Sequence, residues 1–260
     1  MPNQVEVLFT PADFAQLPQR DLTKTACVVF DVLRATSTMV TALANGAAGL
    51  IPVAEIPEAL ALRKSHPSLL LAGERNGLRI SAELSGGIPF DLGNSPREFT
   101  REQVSGHTIA TTTTNGTRAL RACLGARIVL VGSFLNLAAT TARLHSEQDI
   151  LLVCSGTFEQ LAYEDVLGAG AVCDLLGGAE TAGRLSDSAR ISLEIYRLAR
   201  TNLETALGTA RNGRRLLEQP ELREDVAFCA QRDVFPLVAT LGRDGVVRST
   251  GNGSGGWQSM

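Results

Sequence analysis

The 260-residue chain carries 24 lysines and arginines against 27 aspartates and glutamates, a formal charge of -3, so it lacks the basic footprint by which proteins neutralise nucleic-acid phosphates. Its five cysteines, an odd number without C-x-x-C spacing, argue against a disulfide framework and a zinc knuckle and fit a reducing cytoplasm. The opening "MPNQVEVLFTPADF" has no basic segment followed by an apolar one, and no apolar run approaches the ~18 residues of a membrane span; a soluble cytoplasmic protein that engages neither membrane nor nucleic acid is expected.

In chain order, strand-length apolar runs fall at 26–30 (ACVVF), 49–54 (GLIPVA), 69–72 (LLLA), 108–112 (TIATT), 127–131 (RIVLV) and 149–153 (DILLV). Between most of them apolar residues return every three or four positions, which predicts helices over 37–45, 57–65, 116–124, 134–146 and 163–177. Strands that are apolar on both faces and alternate with helices predict an α/β fold, a three-layer α/β/α arrangement around a mostly parallel central sheet. Beyond 178 the pattern becomes a helical C-terminal portion of alternating charge, and "DVFPLVATL" (233–241) reads as a last strand. The expected organisation is one α/β domain over 1–248, with 179–248 a helical subdomain plus last strand or an outer layer of the same sheet. The Gly/Ser-rich 249–260 reads as a flexible tail.

In a parallel sheet, ligands gather at the carboxyl ends of the strands, where loops enter helix N-termini. There this chain places "DVLRATST", "GERNG", "TTTTNGTRAL", "GSFLN" and "CSGT". Arg34, Arg75 and Arg118 can fork onto phosphate or sulfonate oxygens. Asp31, Glu74 and Asp91 stand beside them, with Glu164 and Asp165 opening a later helix. Carboxylates facing a phosphate repel it unless a hard cation bridges them, and Mg2+ takes one or two carboxylates plus substrate oxygens and water. The pattern points to magnesium-assisted phosphoryl chemistry. Taken singly, each residue has a plainer reading: Thr36, Ser37 or Thr38 as a helix cap, "NGTRAL" as a turn plus a cap, Glu164 and Asp165 as acids favoured by a helix dipole.

Several templates fail. Six residues after Cys154 stands Gln160, and Arg34 is seven after Cys27, so the cysteine-phosphatase loop is absent. The three histidines, His66, His107 and His145, lie outside the polar segments. There is no G-x-x-x-x-G-K-[ST] loop, no G-x-G-x-x-G after the first strand, and Leu33 occupies the second acidic position of an Asp-x-Asp phosphatase signature.

The segments "FDVLRATSTMVTALANGA", "GERNG", "FDLGNSP", "TTTTNGTRAL", "VCSGT" and "EDVLGAGAV", in this order over 26–178, with "CAQRD" at 229–233, resemble the 2-phosphosulfolactate phosphatases. The resemblance implies an α/β/α fold and a Mg2+-dependent acid phosphatase converting 2-phospho-3-sulfolactate to 3-sulfolactate and phosphate, a step of coenzyme M biosynthesis. It carries over Asp31, Arg34, Thr36, Ser37, Glu74, Arg75, Asp91, Asn94, Ser95, Thr113 to Arg118 (with Asn115, Gly116 and Thr117), Ser155, Gly156, Glu164 and Asp165. On this reading Asp31, Glu74 and Asp91 hold Mg2+, while Arg34, Thr36 and Ser37 grip the phosphate. The "NGTR" segment takes a second anion, and Asp165 is a candidate for proton transfer. The spacer "LRISAELSGGIP" (78–89) is longer than usual for the family and is expected to reshape the pocket rim. Two other readings stay open: a non-catalytic domain that binds or senses a small phosphorylated or sulfonated acid, and a sugar-phosphate isomerase. A homodimer is the default assembly.

Overall fold

The protein is described by a computed structural model covering residues 2–177 and 183–250. Strand β1 (Gln4–Leu8) and the short helix α1 (Pro11–Phe14) precede β2 (Thr25–Phe30) and α2 (Ala35–Ala44). Next come β3 (Gly49–Pro52), α3 (Ile56–Ser65), β4 (Leu70–Arg75) and the two-residue β5 (Leu78–Arg79). Single-turn helices α4 (Ala82–Ser85) and α5 (Arg101–Val104) lead to β6 (Thr108–Thr112) and α6 (Gly116–Ala122), then to β7 (Ile128–Gly132), α7 (Leu137–Leu144), β8 (Asp149–Cys154) and α8 (Tyr163–Leu175). Helices α9 (Asp187–Ala199), α10 (Leu203–Thr209), α11 (Arg211–Leu217) and α12 (Glu224–Cys229) follow, and the hairpin β9 (Val238–Leu241) and β10 (Val247–Thr250) closes the described chain.

The ten strands form one sheet in the order β1-β8-β2-β7-β9-β10-β3-β6-β4-β5. Two parallel blocks, β1-β8-β2-β7 and β3-β6-β4, are joined by the antiparallel β9–β10 hairpin, which pairs with β7 on one side and β3 on the other. The α/β class, the flanking helices and the mostly parallel sheet agree with the sequence reading. The predicted last strand forms as β9 and starts only at Val238, two residues after Pro236, which has no N–H to give to a ladder. Its return strand was not foreseen. Ser249 and Thr250, placed by composition in a flexible tail, pair with Ala239 and Val238: backbone hydrogen bonding decides their state, not side-chain polarity. The remainder of that tail lies outside the described residues.

Side chains of the central strands alternate between two cores, as a pleat with period two requires. Val28, Phe30, Leu130 and Leu152 point toward α7, α8 and α9, whereas Cys27, Val29, Val129, Val131, Leu151 and Val153 point toward α2 and α6. Burial on both faces is why these strands read as continuous apolar runs. Helices α8 and α9 approach so closely that a Cβ at Gly170 would stand 2.1 Å from the Ser192 carbonyl oxygen. Helices α10 to α12 then turn back over the carboxyl edge of the sheet, α12 packing on the turn at Pro96–Glu98. No helix among the described residues is long and apolar enough to cross a membrane.

Candidate active site

A cavity of about 90 Å3 opens at the carboxyl ends of β2, β4, β6 and β8. Its floor and walls come from the strand ends: Asp31, Leu33 and Arg34 after β2, Glu74 at the end of β4 with Asn76 and Gly77 after it, Thr113 to Asn115 after β6, and Gly156 to Phe158 after β8. Its roof is α11 and the turn beyond it, through Asn212, Arg215, Leu216 and Gln219.

The loop after β2 is held by its own hydroxyls. Thr36 Oγ1 accepts from the Asp31 N–H at 3.0 Å, and Ser37 Oγ donates to the Val32 carbonyl at 2.9 Å. Both residues are fully buried and neither lines the cavity. They shape the turn rather than reach for an anion, because each hydroxyl is directed at the backbone that precedes its own helix. Asp31 is the residue this turn presents: its Oδ1 accepts from the Ala35 N–H at 3.1 Å, and Oδ2 has no hydrogen-bond partner among the described residues. Burial above all, with nearby Glu74 and Glu164, pushes its carboxyl up to about 7, against the pull of the Ala35 N–H and Arg34.

Arg34 lines the cavity, but its guanidinium already has partners. Nη1 donates to Asp225 Oδ2 at 2.7 Å and Nη2 to the Gly77 carbonyl at 2.7 Å. Asp225, on α12 and wholly buried, also accepts from Ser95 Oγ at 2.7 Å and Arg97 Nε at 2.9 Å. Two of five N–H groups are engaged, so three remain for a ligand. Sequence reading missed Asp225: it lies in a charged helix with no motif, and only the fold brings it to Arg34.

Glu74 lines the wall opposite. Oε1 accepts from the Thr114 N–H at 2.9 Å and hydroxyl at 2.8 Å, and Oε2 from the Gly77 N–H at 2.7 Å. Arg75 turns away, donating to the Glu74 carbonyl and to Thr112 Oγ1 at 2.8 and 3.1 Å. Asp91 is not brought to the cavity either. It pairs with Arg63 and accepts from the Leu71 N–H at 2.7 Å, its charge used at the start of β4. Arg118 is half-exposed, pairs with Glu159 at 3.3 Å and does not reach the cavity, while Thr117 is buried against the Thr113 carbonyl. From "NGTR" only Asn115 lines it. Gly116 supports it from below: a Cβ there would lie 2.6 Å from Asp31 Oδ2. The spacer over 78–89 contributes no lining residue; Ile80 packs with Phe90 in a separate small core.

Beneath the cavity, Asp165 ties two loops together, Oδ1 accepting from the Val32 N–H at 2.8 Å and Oδ2 from the Gly156 N–H at 3.1 Å. Burial, then Glu164 and Asp31, drive its carboxyl well above the ordinary range. With both oxygens so occupied and no cavity surface of its own, it serves the geometry of the loops. Its neighbour Glu164 is 1 % exposed, accepts from Asn212 Nδ2 at 2.6 Å through Oε1, and is likewise raised by burial.

Three buried oxygens at this edge have no hydrogen-bond partner: Asn115 Oδ1, Ser155 Oγ and Glu164 Oε2. Buried oxygens are normally satisfied. Of these three residues only Asn115 lines the cavity with Asp31, and both side chains offer hard oxygen donors, the chemistry Mg2+ prefers. Among the described residues no three His, Cys, Asp or Glu side chains converge as a metal-ligand group, so the expected set of Asp31, Glu74 and Asp91 is not assembled: Asp91 is held away by Arg63.

Comparison with known proteins places this geometry in a family. A family model described as 2-phosphosulpholactate phosphatase matches residues 13–244. A protein named "Probable 2-phosphosulfolactate phosphatase" from Thermotoga petrophila is 43% identical over 214 residues, covering 82% of this chain and 88% of that protein. One of the same name from Caldanaerobacter subterraneus subsp. tengcongensis is 39% identical over 246 residues, 94% of this chain and 98% of its own length. A match that runs through every loop lining the cavity, and through α11 and α12 above it, leaves one assignment: the chain belongs to the 2-phosphosulfolactate phosphatase family.

Proposed function

We propose that the protein is a Mg2+-dependent phosphomonoester hydrolase that converts 2-phospho-3-sulfolactate to 3-sulfolactate and phosphate. The observation that carries this reading is the meeting of Asp31, Glu74 and Arg34 in one cavity at the carboxyl edge of the sheet, within a chain of this family. Asp31 and Glu74 would hold the ion, and Asn115 Oδ1 is an unsatisfied oxygen on a residue that lines the same cavity. When bound, Mg2+ supplies the positive charge that lets two carboxylates and a phosphate share so small a space, and it lowers the raised carboxyl of Asp31.

The chain's own residues supply the rest. Arg34, immobilised by Asp225, offers its remaining N–H groups to the non-bridging phosphate oxygens, where charge is spread in the transition state. Asp225 keeps that fork aimed, so little reorganisation is needed as the reaction proceeds. Water supplies the oxygen that ends on phosphorus, the bond from phosphorus to the C2 oxygen breaks, and one of the water's protons ends on that oxygen as the hydroxyl of 3-sulfolactate. Asp165, Thr36 and Ser37 act as positioning residues for the loop that carries Asp31. Five buried, unpaired cysteines fit a reducing cytoplasm as the site of action.

Phosphate release from 2-phospho-3-sulfolactate, and from other phosphorylated hydroxy acids, measured with Mg2+ and with EDTA, tests the proposal. Magnesium-dependent release strongest on the sulfonated substrate is expected. Tight binding of that substrate without release under any divalent ion would overturn hydrolysis in favour of a sensing domain.

A further inference from the structure

The substrate proposed above carries three anionic groups, and the cavity lining contains two cations, Arg34 and Arg215. They are not equivalent. Arg34 is neutralised by Asp225 at 2.7 Å. Arg215 has no carboxylate partner among the described residues; its one hydrogen bond is a long one, Nη2 to the Asn76 carbonyl at 3.4 Å. An arginine on a cavity wall with its charge unspent is open to a ligand anion.

Gln219 adds a second observation. It lines the same cavity four residues further on, and its Oε1 is buried without a hydrogen-bond partner. A side-chain amide presents either its oxygen or its NH2 group by a half-turn, so Gln219 can satisfy itself by donating to a ligand oxygen. Asn212, one turn before Arg215, donates to Glu164 Oε1 at 2.6 Å and Thr157 Oγ1 at 2.7 Å. It anchors α11 to the floor of the site and so fixes the height at which Arg215 and Gln219 stand.

Resting on the phosphatase reading, we infer that Arg215 and Gln219 form the subsite for the substrate's sulfonate. The carboxylate is attached to the same carbon as the phosphoester oxygen and therefore stays close to the phosphate, at Arg34 and Asp31. The sulfonate is one methylene further out and is the group that reaches the roof. It has three equivalent oxygens and stays ionised at every physiological pH, which suits an arginine fork joined by a neutral amide better than a metal site. This subsite replaces Arg118, which the cavity excludes, as the reader of the second anion.

The test compares 2-phospho-3-sulfolactate with 2-phospholactate, which differs only in lacking the sulfonate. Phosphate release is measured on both with the wild-type chain, Arg215→Met, Arg215→Lys and Gln219→Leu, and binding of 3-sulfolactate to the same four proteins is measured by calorimetry. For the sulfonated substrate, Arg215→Met is expected to raise KM about 10- to 100-fold with kcat little changed, the range for losing a charged hydrogen bond. For 2-phospholactate both constants should stay within about twofold. Arg215→Lys should recover part of the loss, and Gln219→Leu should show a smaller loss of the same selectivity. Equal losses on both substrates, or an unchanged KM for the sulfonated one, would overturn the subsite. A wild-type chain that binds 3-sulfolactate but releases no phosphate would overturn hydrolysis alone, and the calorimetric comparison would then decide the subsite: unchanged affinity in Arg215→Met removes it, weakened affinity upholds it.

Discussion

Asp225 Oδ2 accepts a hydrogen bond from Arg34 Nη1 at 2.7 Å across 191 positions of sequence, and both side chains are buried. The pair joins the roof to the floor of the active site. Removing one member of a buried ion pair strands the other, at a cost of about 3–5 kcal/mol. Asp225→Ala is therefore expected to lower unfolding stability by about that amount in urea titration. It should also depress kcat, because Arg34 loses its aim. Arg34→Lys keeps a charge for Asp225 but no fork, so it should unfold at nearly the wild-type urea concentration while losing most turnover. An Arg34→Lys enzyme with wild-type kcat would remove Arg34 from the phosphate site.

Asp31 sets a pH dependence. Its carboxyl is raised from an ordinary 3.8 to about 7, chiefly by burial, so the folded chain binds that proton more tightly than the unfolded one. Stability contributed by this group is complete below about pH 4 and declines as pH rises toward 7. Without Mg2+, this group's share of the decline should be about 4 kcal/mol, and that share should be missing in Asp31→Asn. Thermal unfolding between pH 4 and 8 in EDTA measures it; parallel profiles for the two proteins would refute the assignment.

Magnesium binding should appear as stabilisation, independent of turnover. An ion bound only by the folded chain raises its stability by RT ln(1 + [L]/Kd), about 2.7 kcal/mol at 100 times Kd. Millimolar Mg2+ is expected to raise the melting temperature of the wild type at pH 8 and to leave Glu74→Gln and Asp31→Asn nearly unmoved.

Gly116→Ala should separate packing from charge. The new methyl would stand 2.6 Å from Asp31 Oδ2 and 2.8 Å from Ala35 Cβ, well inside contact distance. Overpacking of this kind typically costs about 1–3 kcal/mol, and Asp31 must move to accommodate it. Lost magnesium stabilisation with a retained circular dichroism spectrum is the expected outcome.

Arg118→Ala should do little. Its partner Glu159 is exposed and 3.3 Å away, and such surface pairs contribute about 0–1 kcal/mol. KM for the sulfonated substrate is expected to hold, in contrast to Arg215→Met.

The core strands could be read because both faces are buried, and an uninterrupted apolar run leaves little ambiguity. The strand β1, QVEVL, escaped because it is an edge strand with polar alternation. Within the site, Asp31, Glu74, Asn115 and Gly156 could be found from their places after strands. The direction of a side chain could not: Thr36 and Ser37 turn back onto the loop, and Asp91 caps a strand beside Arg63. Nor could the roof, since Asn212, Arg215 and Gln219 sit in a stretch whose repeating charge looks like any solvated helix face, and only the return of α11 over the sheet gives them a cavity to line.

The β9–β10 hairpin has a consequence for how the chain is made. Its strands fill the gap between β7 and β3, both of which leave the ribosome long before residues 238–250. Until those residues emerge, the nascent chain holds two half-sheets, each with an unpaired inner edge, the kind of edge that invites intermolecular pairing. Asp225, the partner of Arg34, also arrives late. Sheet closure and completion of the phosphate grip thus belong to one final folding event, and a chain released early by truncation would carry neither.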